Sequence, residues 1–253
     1  MSQARRPIMA ANWKMQKTCS EGAEYVEKFL PLVANAQGVD IVLAPPFTAL
    51  DRVGQALRGS AVMLSSQNVN PAEGGAFTGE IAPGMLSDLG CQYAIVGHSE
   101  RRALYGETSQ FVDQKAAALL AAGLLPIVCV GESLEDREAN RTFEVVGEQL
   151  AGSLASIPQE RAAEIVVAYE PVWAIGTGKT ATPKMAQEVH GFVRSRLADR
   201  FGDAAAAIRI QYGGSVKPEN VKELMSCPDI DGALVGGAGL DPDSFSKIVH
   251  FED

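Results

Sequence analysis

Apolar and polar positions along the chain follow a repeating alternation. Short, nearly continuous apolar runs, many of them β-branched, are each followed by a longer amphipathic stretch rich in alanine. Eight runs read as strands: Pro7–Asn12, Val39–Ala44, Ala61–Ser65, Tyr93–Gly97, Leu125–Val130, Ile165–Tyr169, Ile208–Tyr212 and Ile230–Val235. Between them the amphipathic pattern predicts helices over Ser20–Val33, Gln110–Ala122, Thr142–Ala155, Pro183–Asp199 and Asp241–Phe251. Near-continuous apolar strands separated by helices imply a parallel sheet covered on its outside. Eight such units in 253 residues fit a single closed (β/α)8 barrel, one α/β domain spanning residues 1–253. A doubly wound open sheet is the alternative. It is weakened because no G-x-G-x-x-G turn follows Pro7–Asn12.

Composition narrows the class of partner. Apolar residues make up 46% and charged residues 21% of the chain, ordinary values for a globular protein. At about 150 residues per domain the length allows one or two domains, but closed α/β barrels of this size form one. A chain this long buries roughly three quarters of its unfolded surface and needs no staples. The balance of 22 Lys and Arg against 31 Asp and Glu gives a net charge of −9. That argues against nucleic acid or a membrane surface as partner, since both want a basic face. A small anionic substrate stays compatible, because the local field decides its binding. No apolar stretch reaches the roughly 18 residues of a membrane span. Met1–Ile8 carries two arginines without an apolar core, so no secretion signal is expected. Cys19, Cys91, Cys129 and Cys227 lie far apart with no C-x-x-C pair, which reads as reduced thiols of a cytoplasmic protein rather than a disulfide frame or zinc site.

In a barrel, chemistry collects on the loops beyond the C-terminal ends of the strands. Ionisable and glycine residues cluster there: Asn12-Trp13-Lys14 after the first run, a polar, glycine-rich loop at Ser66–Glu80, His98-Ser99-Glu100-Arg101-Arg102 after the fourth, Glu170 after the sixth, and Gly213-Gly214-Ser215 and Gly236-Gly237 after the last two. Glu170 reads either as a carboxylate capping the next segment or as a general base, whose pKa an apolar wall would raise. His98 is either a satisfied buried histidine or a neutral imidazole donating to a substrate oxygen, with backbone N–H groups of a following helix disfavouring its charge. Arg101 and Arg102 look like structural ion-pair donors to Glu100 or Glu107. Lys14 is solvated or, turned inward, a point charge for an anion, with Asn12 to hold it. The glycine pairs let backbone N–H groups approach a phosphate. Val216–Met225 and the residues after Gly237 can begin helices that add to this. No P-loop is present. The segment from Pro171 to Lys179 holds Trp173 and Ile175 among glycines, as a water-excluding lid would, although static packing on the barrel is the other reading.

Taken in order, N-W-K (12–14), Q-N-V (67–69), G-G-A-F-T-G-E (74–80), V-G-H-S-E-R-R (96–102), C-V-G-E (129–132), Y-E-P-V-W-A-I-G-T-G-K (169–179), Y-G-G-S-V (212–216) and G-A-L-V-G-G-A (232–238) strongly resemble the triosephosphate isomerase family. The resemblance runs from about Ile8 to Ile248. It implies a homodimeric barrel interconverting dihydroxyacetone phosphate and D-glyceraldehyde 3-phosphate, in glycolysis and gluconeogenesis, with no metal and no organic cofactor. By position it makes Glu170 the proton-abstracting base, His98 the neutral electrophile, and Lys14 the substrate-binding cation beside Asn12 and Trp13. Gly176, Ser215, Gly236 and Gly237 would hold the phosphate. Glu100 and Cys129 would support the reacting groups, and Tyr212 with Ser215 would meet a closed lid formed by Pro171, Trp173, Ile175, Gly178 and Lys179. The loop at 66–80 resembles an arm entering a neighbouring subunit, with Phe77 at its tip and Thr78 near Asn12 and Lys14 of the partner. Outside this set, His190 and His250 read as helix-surface residues, and Cys19, Cys91 and Cys227 as inert packing positions.

Overall fold

The computed structural model describes residues 5–176 and 180–252. Its strands are β1 (Ile8–Asn12), β2 (Asp40–Ala44), β3 (Val62–Ser66), β4 (Tyr93–Val96), β5 (Leu125–Val130), β6 (Val166–Tyr169), β7 (Arg209–Tyr212) and β8 (Gly232–Val235). They pair in parallel in chain order, and β8 returns to β1 with Gly232 opposite Ile8. The sheet is therefore a closed barrel, and the open-sheet alternative falls. Each expected strand is present to within two residues at either end.

Period-two alternation sorts the strand residues into two cores. Ile8, Ala10, Val42, Ala44, Ile95, Ile127, Cys129, Val166, Ala168 and Leu234 fill the barrel. Met9, Ala11, Ile41, Leu43, Val96, Val128, Val130, Val167, Tyr169 and Val235 face the helices. This parity decides where strand-end side chains go. Glu170 continues the inward series of Val166 and Ala168. Glu132 continues the outward series of Val128 and Val130. His98 would fall outward by parity, but Gly97 adopts φ +69, a left-handed turn open to glycine, and the histidine swings to the mouth.

The five predicted helices appear as Cys19–Leu32, Ser109–Ala121, Thr142–Ser153, Pro183–Phe201 and Pro242–Val249. Thr18 and Glu21 form a reciprocal capping box on the first. Thr108 and Thr182 cap the second and fourth, each worth about 1 kcal/mol. Shorter helices at Leu50–Ala56, Pro83–Asp88, Ser99–Tyr105 and Leu134–Glu138 have too few turns to show a period in sequence. The helix expected from Val216 begins only at Val221. Ahead of it, Asn220 accepts from the Lys217 N–H at 2.8 Å and donates to the Ser215 carbonyl at 3.0 Å, a side-chain turn that replaces the first helical turn.

Two readings of lone residues are corrected. His190 is fully buried, not on a surface. Its ring lies between Tyr169 and Tyr212, with centroids 5.7 and 6.2 Å away, and its Nδ1 is 3.1 Å from the Asp229 carbonyl. Cys19 is exposed and Cys227 half-buried, while Cys91 is buried as expected.

Burial lowers the His190 pKa from 6.5 to about 4. The unfolded chain therefore binds one more proton than the folded chain between those values, and stability falls as pH drops from about 6.5 towards 4. The full loss below that window is about 3 kcal/mol. Denaturant midpoints across pH 4–7 should fall more steeply for the wild type than for His190→Gln, by about that amount. Parallel curves would show that His190 does not carry the acid sensitivity.

Candidate active site

A cleft of about 670 Å³ opens at the C-terminal mouth of the barrel, lined by Asn12, Trp13, Lys14, His98, Glu170, Ile175, Gly176, Ser215, Gly236 and Gly237 among others. Residues expected at five separate strand ends, those of β1, β4, β6, β7 and β8, thus meet in one place.

Glu170 is 2% exposed and His98 6%. The Glu170 carboxylate accepts from the Ser99 N–H at 2.9 Å through Oε2, and its Oε1 lies 2.9 Å from His98 Nε2. His98 caps the helix Ser99–Tyr105, its Nδ1 accepting from the Glu100 N–H at 3.3 Å. An imidazole that accepts at Nδ1 carries its proton at Nε2 and donates it to Glu170. The expected rise in the Glu170 pKa is not what this arrangement produces. Burial pushes it up, but the His98 ring, the Ser99 N–H and the Lys14 ammonium outweigh burial and hold it below the usual carboxylate range. For His98, burial opposes charge, but the carboxylates of Glu170 and Glu100 overcome it and raise the pKa. Both shifts depend on Glu170 staying beside the imidazole.

Lys14 has φ +54. Its N–H donates to Asn12 Oδ1 at 3.0 Å. Its Nζ is 2.6 Å from Glu100 Oε1. Glu100 therefore touches both Lys14 and, at 3.6 Å, His98. The Trp13 ring is wholly buried, edge-on to Tyr25 at 4.8 Å, so it packs beneath the loop that carries Lys14.

Three glycines make room for this geometry. A methyl group at Gly131 would lie 1.7 Å from the Glu170 carbonyl oxygen, and one at Gly213 would lie 2.9 Å from Glu170 Cγ. At Gly214 it would meet the Tyr212 hydroxyl at 2.2 Å. Past Glu170, Pro171 leads into a short 3-10 turn at Val172–Ala174, and Ile175 and Gly176 border the cleft. Gly178 and Lys179 lie outside the described residues. Tyr212 is buried. Cys129 is buried beside Glu170, and burial pushes its thiol well up, so it stays neutral.

Arg101 pairs with Glu107 at 2.9 Å, as expected. Arg102 does not form the expected ion pair. It donates to the carbonyls of Gly97 and Cys129 and to the hydroxyls of Ser109 and Ser153, tying the His98 turn to β5.

Glu132 has a place here that its sequence reading did not assign. It is fully buried and accepts from the Tyr169 hydroxyl at 3.1 Å and from the Trp173 indole N–H at 2.9 Å, with Arg137 3.4 Å away. It anchors the start of the segment that follows Glu170. The available signal was a carboxylate closing an apolar strand, the same signal that marks Glu170.

In the arm at 66–80, Phe77 is 52% exposed and Thr78 is exposed. Met15, Met85, Leu104 and Tyr105 are also exposed, and all follow β1, β3 or β4. Among the described residues, no group of three or more His, Cys, Asp or Glu side chains is arranged to hold a metal ion, and no helix is long and apolar enough to cross a membrane.

The assembled site therefore holds a carboxylate, a hydrogen-bond donor, a cation and a glycine-lined end in one cleft. In comparisons with known proteins, residues 7–252 match the family model described as triosephosphate isomerase. The triosephosphate isomerase of Moorella thermoacetica is 54% identical over 248 residues, covering 98% of this chain and 99% of that protein. Those of Geotalea uraniireducens (52% over 252 residues, 98% and 100% covered) and Carboxydothermus hydrogenoformans (53% over 246 residues, 97% and 98% covered) are similar to this chain as well.

Proposed function

The chain belongs to the triosephosphate isomerase family, and on that premise we propose how it interconverts dihydroxyacetone phosphate and D-glyceraldehyde 3-phosphate: by proton transfer through an enediolate, as a cytoplasmic homodimer of one-domain subunits that needs no metal or organic cofactor. The observation that carries the mechanism is the 2.9 Å approach of the Glu170 carboxylate to His98 Nε2 in a cleft that also holds Lys14 and the glycine pairs.

Glu170 removes a proton from the carbon beside the carbonyl. Lys14 and the Nε2–H of His98 stabilise the negative charge growing on oxygen. Glu170 then returns a proton to the neighbouring carbon. The net change moves one proton between carbons and one between oxygens. Gly176, Ser215, Gly236 and Gly237 hold the phosphate, which does not react, and Asn12 keeps Lys14 in place.

With both oxygens hydrogen-bonded, Glu170 is a weak base in the arrangement described above. Substrate that takes the His98 N–H for its own oxygen frees one oxygen of the carboxylate, which then faces burial with fewer partners and becomes more basic. The same exchange removes the largest of the charges that raise the His98 pKa, so that burial, the Glu100 N–H and the Lys14 charge weigh more heavily in keeping the ring neutral. Pro171 to Lys179 follow Glu170 directly, so closure of this segment as a lid moves the base while excluding water.

Turnover of glyceraldehyde 3-phosphate by the purified chain with excess chelator tests the activity. Full turnover is expected; none, or a strict metal requirement, overturns the proposal. The exposed apolar residues of the arm and its neighbouring loops support the dimer. Phe77→Asp should lower the sedimenting mass at micromolar concentration towards the monomer and reduce activity, because Thr78 then no longer braces Asn12 and Lys14 of the partner subunit. A fully active monomeric wild type would refute this.

A further inference from the structure

Gln67, in the Q-N-V segment at 67–69, makes two hydrogen bonds, one of them to the backbone of Lys14. Its Nε2 donates to the Lys14 carbonyl at 2.9 Å and to the Ala44 carbonyl at 2.8 Å. Ala44 ends β2, and its carbonyl also accepts from the Trp13 N–H at 3.1 Å. One primary amide therefore ties the loop after β1 to the end of β2, with both of its N–H bonds used.

Lys14 needs such a tie. At φ +54 it occupies the left-handed region, which side-chain-bearing residues leave unless neighbours hold them there. Its N–H is held by Asn12 Oδ1 and its carbonyl by Gln67. The backbone angles at Lys14 set the direction of its Cα–Cβ bond, and so the direction of the ammonium. Its stem passes Gly236, where an added methyl group would sit 3.5 Å from Lys14 Cε. A peptide relaxed into the right-handed region would aim the stem elsewhere.

We propose that Gln67 is a positioning residue for the isomerisation, holding the left-handed Lys14 backbone so that its ammonium reaches the substrate oxygen. The inference rests on the reading of Lys14 given above. The chemistry required is a neutral group with two donors on one atom. Glutamate in its ionised form has none, methionine matches the length without donors, and asparagine is one methylene short.

The test is a double-mutant cycle of the wild type, Lys14→Met, Gln67→Met and the double variant. Each is assayed at a concentration at which its mass equals that of the wild type. The readouts are kcat/KM and the affinity for 2-phosphoglycolate, a two-carbon carboxylate that carries a phosphate. Gln67→Met should lower both by about 10- to 100-fold, the scale of a displacement of about 1 Å in a positioned group. In the Lys14→Met background the same change should leave 2-phosphoglycolate affinity unaltered, because the group it positions is already gone. Equal losses in both backgrounds, or no loss in either, overturn the proposal. If Gln67→Met does not fold, Gln67→Glu replaces it in the cycle with the same expectations. Should Lys14→Met itself keep wild-type kcat/KM and affinity, the reading of Lys14 fails. Should it lose both while the Gln67 variants keep them, only the present inference fails.

Discussion

Glu170→Gln should lower kcat by about 10³-fold, within the roughly 10²–10⁴-fold span of general-base catalysis, while KM changes only a few-fold. The amide keeps the shape of the side chain but cannot take a proton from carbon. It also cannot satisfy the ligand-free site. Ser99 N–H and His98 Nε2 both approach the carboxylate at 2.9 Å, and an amide offers one acceptor where two donors converge. One donor is left unmet in a buried place, which costs about 1–3 kcal/mol and lowers the melting temperature by a few degrees. The imidazole gives a second readout. Glu170 is the first of the charges that raise the His98 pKa against burial, so the variant's histidine should titrate at lower pH than the wild type's when followed by NMR. Near-normal turnover would remove Glu170 from the role of base. Lost turnover with an unmoved imidazole would mean that the pair is not formed in solution.

Gly131→Ala should destabilise the fold by about 3 kcal/mol or more, a fall in melting temperature of about 6–12 °C for a chain of this size. The added methyl group would sit 1.7 Å from the Glu170 carbonyl oxygen and 2.7 Å from its carbonyl carbon. Neither is a flexible side-chain end that can step aside. The Glu170 N–H is bonded to the Val130 carbonyl at 2.8 Å, and the Val172 N–H to the Glu132 carbonyl at 3.1 Å, so the clash opens the β5–β6 ladder where it carries the base. Turnover should fall even in the fraction that stays folded. Gly191→Ala is the control. It lies within the helix Pro183–Phe201, where an added methyl group comes no closer than 3.6 Å to any neighbour, and should raise stability by about 0.5–1 kcal/mol. A melting temperature of Gly131→Ala within 2 °C of the wild type would mean that the strand ends yield freely and do not hold Glu170.

Much of this molecule is legible in its sequence. Eight apolar runs separated by amphipathic stretches led to eight parallel strands because a strand buried on both faces has no polar position to interrupt it. Glycine pairs and ionisable residues at the strand ends marked the mouth because both kinds of residue are wasted in a packed layer. The errors came where environment overrides pattern. From the sequence His190 reads as a helix-surface residue. Only the packing of that helix on Tyr169 and Tyr212 buries the ring. Glu132 passed without a role although it ends a strand as Glu170 does.

Those two glutamates mark the division between sequence and structure. Sequence alone established the strand count, the parallel order, the residue types at the mouth and the family. The inward and outward parity through which Glu170 and Glu132 diverge from similar strand ends emerged only with the packed barrel. Tertiary structure alone decided that Gly97 breaks that parity for His98, that Glu170 rests on His98 and Ser99 with its pKa lowered rather than raised, and that Gln67 and Asn12 grip Lys14 from two different strand ends. The physical reason is range. Periodicity and propensity act between residues a few positions apart. A pKa, a left-handed lysine or an orphan donor depends on groups that meet only when the barrel closes, such as Ser99 and Glu170, 71 positions apart along the chain.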